Sequence, residues 1–393
     1  YVFLPTVLLL VLLSPRSWHN GLLLAASLVF YAWGGISFCL LLLGSILINY
    51  VIGLGIGTSR STGRKKGWLV VGLVINLILL IIFKYTNFLL ENLNLWLPPQ
   101  SQIHFKPIPL PLGISFFTFQ AISYLADVYQ GRSEVQRKLP RLALFIALFP
   151  QLIAGPIVRY HDIAAQIRER RMSWGLFASG IERFIMGLSK KVLLANNFAL
   201  VADEIFAVAP ENLDTLSAWT GLLMYSLQIY FDFSGYSDMA IGLGRMFGFH
   251  IAENFNFPYI ARSIREFWRR WHISLSQWFR DYLYIPLGGN RRGPGRTYLN
   301  LLIVFVLTGL WHGASWNFLI WGLFHGFFMV IERLGLERFL QKAGAVAGHL
   351  YALLVIMLSW VFFRSPNLPH AKGYFLALAG LTDPRDFQFD LSY

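Results

Sequence analysis

One histidine, His312, lies deep in a stretch of sequence that is otherwise suited to crossing a membrane. It stands in Thr-Gly-Leu-Trp-His-Gly-Ala-Ser-Trp, near the middle of 35 residues, 297–331, that contain no Asp, Glu, Lys or Arg. With a reference pKa of about 6.5, a histidine can accept and return a proton at neutral pH. Burying it in apolar surroundings costs free energy unless a cavity or a partner compensates. The position predicts either proton-transfer chemistry or a hydrogen bond between helices.

A second histidine, His272, belongs to an unusual segment, residues 253–296, that is rich in arginine and tryptophan. At about 100° per residue, a helical wheel gathers one apolar face. That face contains Ile264, Phe267, Trp268, Trp271, Leu275, Trp278, Phe279 and Tyr282. The pattern predicts one amphipathic helix at the membrane interface, begun after Pro258 and ended by Pro286. His272 falls at the edge of the apolar face, so it either anchors this helix or lines a polar path into the protein.

Three arginines of the same segment, Arg265, Arg269 and Arg270, could face water or phosphate. Guanidinium groups bind phosphate oxygens through paired hydrogen bonds, so these residues could hold the phosphates of a ligand. Ordinary contact with lipid headgroups is the alternative interpretation.

Other ionisable residues also lie in or beside apolar runs. Asp232, Tyr236 and Asp238 belong to Tyr-Phe-Asp-Phe-Ser-Gly-Tyr-Ser-Asp, in which the first two share a helix face because they are four residues apart. Buried carboxylates need partners, and we expect structural ties to the arginine-rich helix rather than chemistry. His325, 13 residues after His312, is expected on the other arm or at the other end of the same run, in a structural role.

Motifs of familiar soluble enzymes and metal sites are absent from the sequence. The single cysteine, Cys39, lies in an apolar run, and neither a CxxC pair nor a Cys/His ligand spacing occurs. A GxSxG elbow, a Walker loop and an HExxH helix are also missing. We therefore predict no metal, and a soluble-type hydrolase, an ATPase and a metalloprotease are all unsupported.

The composition indicates what must position these residues. Hydrophobic residues make up 56% and charged residues 13% of the 393-residue chain, which is about half the charge of a soluble domain. Long uncharged runs, such as residues 17–59 and 297–331, exceed the roughly 20 residues that a membrane helix needs and must fold back. We predict a single all-α integral membrane domain over residues 1–393 with nine to eleven membrane segments, cut from a longer polypeptide at both ends. The net charge of +13 sits in short loops, which disfavours nucleic acid as a partner.

Basic loops predict the orientation of these segments. Arg60, Arg64, Lys65 and Lys66 form one cluster, and Arg132, Arg137, Lys138 and Arg141 form another. Two apolar runs separate the clusters, which predicts a helix hairpin with both basic ends in the cytoplasm. The next run, residues 142–158, is flanked by basic residues on both sides and contains Pro150 and Pro156, so we expect a re-entrant segment.

Several motifs together resemble the membrane-bound O-acyltransferase family. They are Pro-Leu-Gly-Ile-Ser-Phe-Phe-Thr-Phe-Gln (111–120), Pro-Gln-Leu-Ile-Ala-Gly-Pro-Ile (150–157), Tyr-Phe-Asp-Phe-Ser-Gly-Tyr-Ser-Asp (230–238), Asn-Phe-Asn-Phe-Pro-Tyr (254–259), Glu-Phe-Trp-Arg-Arg-Trp-His-Ile-Ser-Leu-Ser (266–276), Trp-Phe-Arg-Asp-Tyr-Leu-Tyr-Ile-Pro-Leu-Gly-Gly-Asn (278–290) and Gly-Leu-Trp-His-Gly-Ala-Ser-Trp (309–316). The resemblance covers nearly the whole chain and is densest over residues 230–316. The bacterial branch that acetylates alginate looks most similar.

The resemblance implies a tilted helical bundle around a funnel or tunnel, with re-entrant and interfacial helices. It implies that His312 is the catalytic histidine and His272 a second functional histidine. It also implies acetyl-CoA as the cytoplasmic donor, and a bacterial cytoplasmic membrane as the location. The acetyl group would pass to an extracytoplasmic partner of the SGNH-hydrolase type and then to a polysaccharide.

Acyl transfer to a hydroxyl needs a base and donors for the developing oxyanion. We assign His312 as the base; His272 could position the thioester, donate to the oxyanion or share the proton. Trp311 and Trp316 either line the tunnel or simply pack. Two alternatives remain: a D-alanyl transferase for teichoic acid, and a transporter that uses the histidines as a proton relay.

Overall fold

The computed structural model describes residues 2–383, and all regular secondary structure in that range is helical. The chain forms two compact units. Unit 1 contains the residues up to Ile185 together with Met239–Ala252, and unit 2 contains Met186–Asp238 together with the residues from Glu253 onward. The predicted all-α class is confirmed.

Unit 1 contains α1 (Phe3–Leu13), α2 (His19–Trp33), α3 (Ile36–Thr58), α4 (Thr62–Leu80), α5 (Thr86–Asn94), α6 (Ile114–Tyr129), α7 (Leu139–Ala147), α8 (Phe149–Leu152) and α9 (Tyr160–Arg168). The chain enters unit 2 within α10 (Trp174–Ser189), continues with α11 (Asn196–Ala207), and leaves it again within α12 (Thr215–Met246). The remaining helices of unit 2 are α13 (Ile264–Arg270), α14 (Ile273–Phe279), α15 (Pro294–His312), α16 (Trp316–Ile331), α17 (Glu337–Ala343), α18 (Ala345–Arg364) and α19 (Leu368–Leu378).

Short turns join or extend several of these helices. Single 3-10 turns occupy Arg16–Trp18, Pro99–Ser101, Pro210–Asn212 and Pro258–Ile260. Wider π-helical turns occupy Ile81–Tyr85, Lys190–Ala195, Arg280–Tyr284 and Glu332–Leu336. The π turns at 81–85 and 190–195 connect α4 to α5 and α10 to α11 without a loop.

Five continuous helical stretches within residues 2–383 are long and apolar enough to cross a membrane: Ile36–Thr58, Thr62–Asn94, Trp174–Ala207, Trp316–Ala343 and Ala345–Arg364. The chain is therefore an integral membrane protein. This number is lower than the nine to eleven segments predicted, because several apolar runs fold as shorter helices. The long uncharged runs do fold back as predicted: residues 17–59 become α2 and α3, and residues 297–331 become α15 and α16.

The run at 142–158 does not form a straight crossing. Its first helix, α7, has nine residues, which is about 14 Å and roughly half of the apolar thickness of a bilayer. The backbone breaks at Leu148, α8 adds one turn, and residues 142–152 are buried in unit 1. The irregular, buried backbone agrees with the interruption predicted for residues 142–158. The return of this segment to the same membrane face stays a prediction.

A buried carboxylate, Asp127 at the end of α6, holds His161 at the start of α9. The His161 Nδ1 lies 2.8 Å from Asp127 Oδ2, and the His161 backbone N–H donates to the same oxygen at 3.1 Å. The hydrogen bond to Asp127 raises the pKa of His161 above its ordinary value. The charged imidazolium is thus stabilised in the folded state more than in the unfolded state.

We expect this pair to make stability depend on pH. Because the folded pKa is raised, the extra stability is fully present below the unfolded value of about 6.5 and disappears as pH rises through the folded pKa. Thermal unfolding in detergent from acid to mildly alkaline pH should show a gap between the native protein and His161→Gln that narrows as pH rises. A gap that stays constant or widens would contradict the assignment.

In unit 2, α15 and α16 form a hairpin whose backbones nearly touch. A Cβ added at Gly309 would lie 2.2 Å from the Phe318 carbonyl oxygen, and one added at Gly322 would lie 2.3 Å from the Phe305 carbonyl oxygen. These distances leave no room for a methyl group, so small residues permit the close packing of the two helices. This hairpin fixes the direction in which the C-terminal end of α15 points.

Gly309→Ala should destabilise this hairpin, by about 1–3 kcal/mol on the scale of overpacked cores. The atom that the new methyl group would meet is backbone, which cannot rotate away. Gly295→Ala is the matched control, because Gly295 lies in the same helix with no atom within 4 Å of its added Cβ. Thermal unfolding of both variants measures the difference, and equal midpoints would show that the contact is not limiting.

Candidate active site

The arginine- and tryptophan-rich segment folds as two short helices, not one. The prediction of a continuous amphipathic helix is wrong, because α13 ends at Arg270 and α14 starts at Ile273. Its aromatic face packs inside unit 2: Phe267, Trp268 and Trp271 are all less than 9% exposed. The location of this segment at a membrane interface stays a prediction.

A carboxyl group and a hydroxyl fix the start of α13. Ser263 caps the helix by accepting from the Glu266 backbone N–H at 3.0 Å. Glu332, 1% exposed, accepts from the backbone N–H groups of Ile264 at 2.5 Å and Arg265 at 3.1 Å. These contacts satisfy amides that a helix start leaves unpaired and tie α13 to the end of α16.

His272 occupies the break between the two helices. Its backbone is left-handed, with φ +44°, which is uncommon for a residue other than glycine. Asn254 stabilises this turn: its carbonyl oxygen accepts from the Ile273 N–H at 2.9 Å, and its side-chain oxygen accepts from the Ser274 N–H at 3.1 Å. The wheel could not anticipate the break, because the residue that holds it lies 18 positions upstream.

The same asparagine determines where His272 carries its proton. Asn254 Oδ1 accepts from a backbone N–H and its Nδ2 donates to Ser237 Oγ at 3.0 Å, so the amide orientation is fixed. His272 Nδ1 lies 3.1 Å from that oxygen and must therefore be the protonated nitrogen. Nε2 then carries the lone pair, and it has no hydrogen-bond partner among residues 2–383.

His272 is electrically neutral at neutral pH. It lies outside the five candidate membrane spans and is 1% exposed. Burial lowers its pKa to about 3, because an imidazolium would lose its hydration there. The result is a buried, uncharged imidazole with one free acceptor nitrogen, within 4.7 Å of the Phe233 ring.

His312 is the last residue of α15 and is partly buried. Aromatic rings surround it: the centroids of Trp321 and Phe363 lie 5.0 Å and 5.2 Å from that of the imidazole. The chain then turns at Gly313, where an added Cβ would meet the Phe318 ring at 2.2 Å. The close-packed hairpin thus places this imidazole at the end of a helix among aromatic walls.

Trp311 lies between the two histidines. Its ring centroid is 4.9 Å from that of His312 and 6.0 Å from that of His272, and its side chain is buried. Residues 40 positions apart in sequence therefore share one aromatic cluster of unit 2. Trp316, the other tryptophan predicted near the site, is 50% exposed at the start of α16 and is not packed in the interior.

His325 is fully buried on α16, the opposite arm of the hairpin from His312, as predicted. The Trp268 indole N–H donates to its Nδ1 at 3.3 Å, so a neutral His325 carries its proton on Nε2. In His272, by contrast, the proton is on Nδ1 and Nε2 is the acceptor. The indole N–H comes from the distant segment 253–296, so the neighbours of His325 in sequence could not indicate this partner.

The three arginines proposed to bind phosphate differ in their surroundings. Arg265 pairs with Glu337 at 2.8 Å, and Arg270 pairs with Glu266 at 2.9 Å. Arg269 is exposed and has no ion pair among residues 2–383. Of these three residues, only Arg269 can bind an anion without first breaking an ion pair with a carboxylate.

The carboxylates of α12 pair with lysines. Asp238 lies 2.6 Å from Lys190 Nζ, and Asp232 lies 2.5 Å from Lys191 Nζ. The observed ion pairs therefore connect α12 to the turn after α10, and the expected ties to the arginine-rich helix are not among them. Tyr236 is partly buried on the same helix.

Sequence reasoning missed Asn254 and Glu332. Asn254 belongs to the Asn-Phe-Asn-Phe-Pro-Tyr motif, but nothing local distinguishes a residue that orients a distant histidine. Glu332 carried a usable signal, since it is the first charged residue after the 35-residue uncharged run.

Known proteins are similar to this chain in sequence. The sequence profile of the membrane-bound O-acyltransferase family matches residues 135–364. The "Probable alginate O-acetylase AlgI" of Azotobacter vinelandii is 47% identical over 98% of this chain and 77% of its own length. The "Peptidoglycan O-acetyltransferase" of Helicobacter pylori is 41% identical over 94% of this chain and 74% of its own. The "Teichoic acid D-alanyltransferase" of Bacillus subtilis is 31% identical over 59% and 60%.

The family profile spans both short helices of the arginine-rich segment, the α15–α16 hairpin and both candidate histidines. More than half of the sequence lies within it, and the relatives extend the similarity almost to both ends. The chain belongs to the membrane-bound O-acyltransferase family.

Proposed function

We propose that this enzyme, an O-acyltransferase, moves an acetyl group from acetyl-CoA on the cytoplasmic side to a polysaccharide hydroxyl on the other side, with His312 as catalytic base. The observation that carries the proposal is the cluster of His272, Trp311 and His312. The motifs that contain His272 and His312 both resemble motifs of the acyltransferase family, and the indole ring of Trp311 lies next to both imidazoles.

The transfer needs one base, and the proton that this base removes from the hydroxyl is given to the leaving thiolate. His312 removes the proton of the acceptor hydroxyl, and the oxygen attacks the carbonyl carbon of the thioester. The carbon–sulfur bond breaks, the thiolate leaves, and the imidazolium gives it the proton. The acetyl group has then moved from sulfur to oxygen and one proton from oxygen to sulfur. The aromatic walls exclude water that would otherwise hydrolyse the thioester.

His272 serves this reaction by accepting a hydrogen bond rather than by donating one. Its Nδ1–H is committed to Asn254, and the nitrogen that remains free, Nε2, carries a lone pair. An oxyanion needs donors, so we discard that role among the three considered. The amide N–H groups of the pantetheine arm of the donor are suitable partners, and such a bond would position the thioester.

The donor phosphates would meet Arg269 first, since it is exposed and unpaired among the described residues. Arg265 lines an open cavity of about 550 Å³ with Arg333 and Arg338, and with the carboxylates of Glu332 and Glu337. Binding there would require the guanidinium of Arg265 to exchange Glu337 for phosphate. Arg270 would have to leave Glu266 in the same way.

The acceptor assignment rests on the relatives. The names of two relatives refer to alginate and to peptidoglycan, both extracytoplasmic polymers. We propose alginate or a related exopolysaccharide as the acceptor, and an SGNH-type extracytoplasmic partner as the carrier that delivers the acetyl group. The corresponding location is a bacterial cytoplasmic membrane, around a funnel or tunnel that connects its two sides.

The test compares donors. Purified protein should consume radiolabelled acetyl-CoA in the presence of an acceptor and should ignore a D-alanyl carrier protein. Preference for the D-alanyl carrier would move the protein to the teichoic-acid branch, for which the similarity is lower. Intact acetyl-CoA combined with proton-coupled uptake into vesicles would favour a transporter and overturn the proposal.

A further inference from the structure

An open cavity of about 560 Å³ in unit 1 gathers basic side chains from three parts of the chain. Lys65 comes from α4, Arg168 from the end of α9, and the remaining three from the start of α7 and the residues just before it: Arg137, Lys138 and Arg141. Residues from both basic clusters that the sequence places on one side of the membrane thus line the same cavity. Their shared location in the cytoplasm stays a prediction.

The charge in this cavity is poorly balanced. Its lining contains one carboxylate, Glu134, which is 3.3 Å from Arg168. Lys65, Arg137, Lys138 and Arg141 have no ion pair with any residue in the range 2–383. Four cations that face one space repel each other, and a bound anion would remove that cost.

The segment that carries most of these cations is held in place. The Tyr50 hydroxyl donates to the Arg137 carbonyl at 2.8 Å, and the Gln136 amide donates to the Tyr160 hydroxyl at 3.2 Å. The Val135 side chain packs against Gly57, where an added Cβ would lie 2.5 Å from it. A loop fixed by three such contacts presents its charges at set positions, so less conformational entropy is lost when a ligand binds.

We propose that this cavity is a binding site for a phosphate-bearing ligand, formed by unit 1 alone and not part of the His272–His312 cluster. Arginine presents paired donors that match phosphate oxygens, and lysine adds point charge. The volume lies in the range of sites for small molecules, about 300–1,000 Å³, and suits a lipid headgroup or a soluble diphosphate. The proposal does not depend on the acyl-transfer function.

General attraction of basic loops to anionic membranes is the competing explanation, and the chain supplies a matched control for it. Arg60, just before α4, and Arg64 and Lys66, near its start, are close to Lys65 in sequence but do not line the cavity. The triple variant Arg137→Gln/Lys138→Gln/Arg141→Gln and the control Arg60→Gln/Arg64→Gln/Lys66→Gln remove the same charge. Only the first one removes cations from the cavity.

The full chain, purified in neutral detergent, would be titrated with two probes: inorganic pyrophosphate and short-chain phosphatidylglycerol. We expect the cavity variant to bind at least one probe about tenfold more weakly or worse, and the control variant to stay within about twofold of the native protein. Loss of phosphatidylglycerol binding alone identifies a lipid site, and loss of pyrophosphate binding alone a soluble ligand. Equal weakening in both triple variants, or no binding of either probe by the native protein, would overturn the proposal.

Discussion

Replacing His312 by alanine is expected to abolish acyl transfer while the protein keeps its fold. On the proposed mechanism, no other group near the Trp311 cluster removes the hydroxyl proton, and general base catalysis contributes about 10²–10⁴-fold. Truncation leaves the α15–α16 hairpin intact, because its close contacts are made by Gly309 and Gly322. Turnover of acetyl-CoA by purified protein, with thermal unfolding as a check of the fold, measures the effect.

A second histidine of unit 2 supplies the control. His349 is partly buried on α18, and its Nδ1 lies 3.3 Å from the Ala261 carbonyl oxygen. His349→Ala should lose little turnover, because the hydrogen bond of this imidazole is made to the Ala261 backbone and not to the aromatic cluster. Normal turnover by His312→Ala would withdraw the base assignment, whatever the control does.

His272→Gln is expected to lower turnover by roughly 10²-fold, the scale on which a misplaced thioester slows the reaction. Glutamine keeps a hydrogen-bonding side chain but has no imidazole nitrogen whose lone pair points away from Asn254. Donor binding should change less, since the arginines of α13 remain. Separate measurement of kcat and of acetyl-CoA affinity therefore distinguishes this outcome from a general loss of the site.

Asn254 variants show whether orientation of the imidazole matters. Asn254→Ala removes the oxygen that accepts from Nδ1–H, so the turnover defect should approach that of His272→Gln. Asn254→Asp keeps that acceptor and should recover much of the loss. Ser237→Ala, which removes only the contact of the asparagine nitrogen, is the matched control.

Near-native turnover in His272→Gln with intact folding would return His272 to a structural role.

Features set by run length and composition were predictable from the sequence. An uncharged run of 35 residues is too long for one crossing, so the hairpin of α15 and α16 and the placement of His312 and His325 on opposite arms followed directly. The burial of Phe267, Trp268 and Trp271 on one face also followed from periodicity, although the surface that they contact is protein.

Features that depend on distant partners were not predictable. A helical wheel assumes regular backbone, and the left-handed turn at His272 exists because Asn254 satisfies the amides that it exposes. The lysine partners of Asp232 and Asp238 were likewise not predicted, because several basic segments offered equal local chemistry and only the packing of α12 brings Lys190 and Lys191 to them.

These two ion pairs bear on how the chain enters the membrane during synthesis. Lys190 and Lys191 lie near the middle of the candidate span Trp174–Ala207, where each charged residue costs about 2.5–3.5 kcal/mol on an isolated helix. The carboxylates that offset this cost arrive later, on α12. By itself, the helical stretch Trp174–Ala207 is therefore released poorly from the translocation machinery into the lipid. We expect the translocation machinery to retain it until α12 emerges, so that Lys190 and Lys191 enter the lipid paired with Asp238 and Asp232.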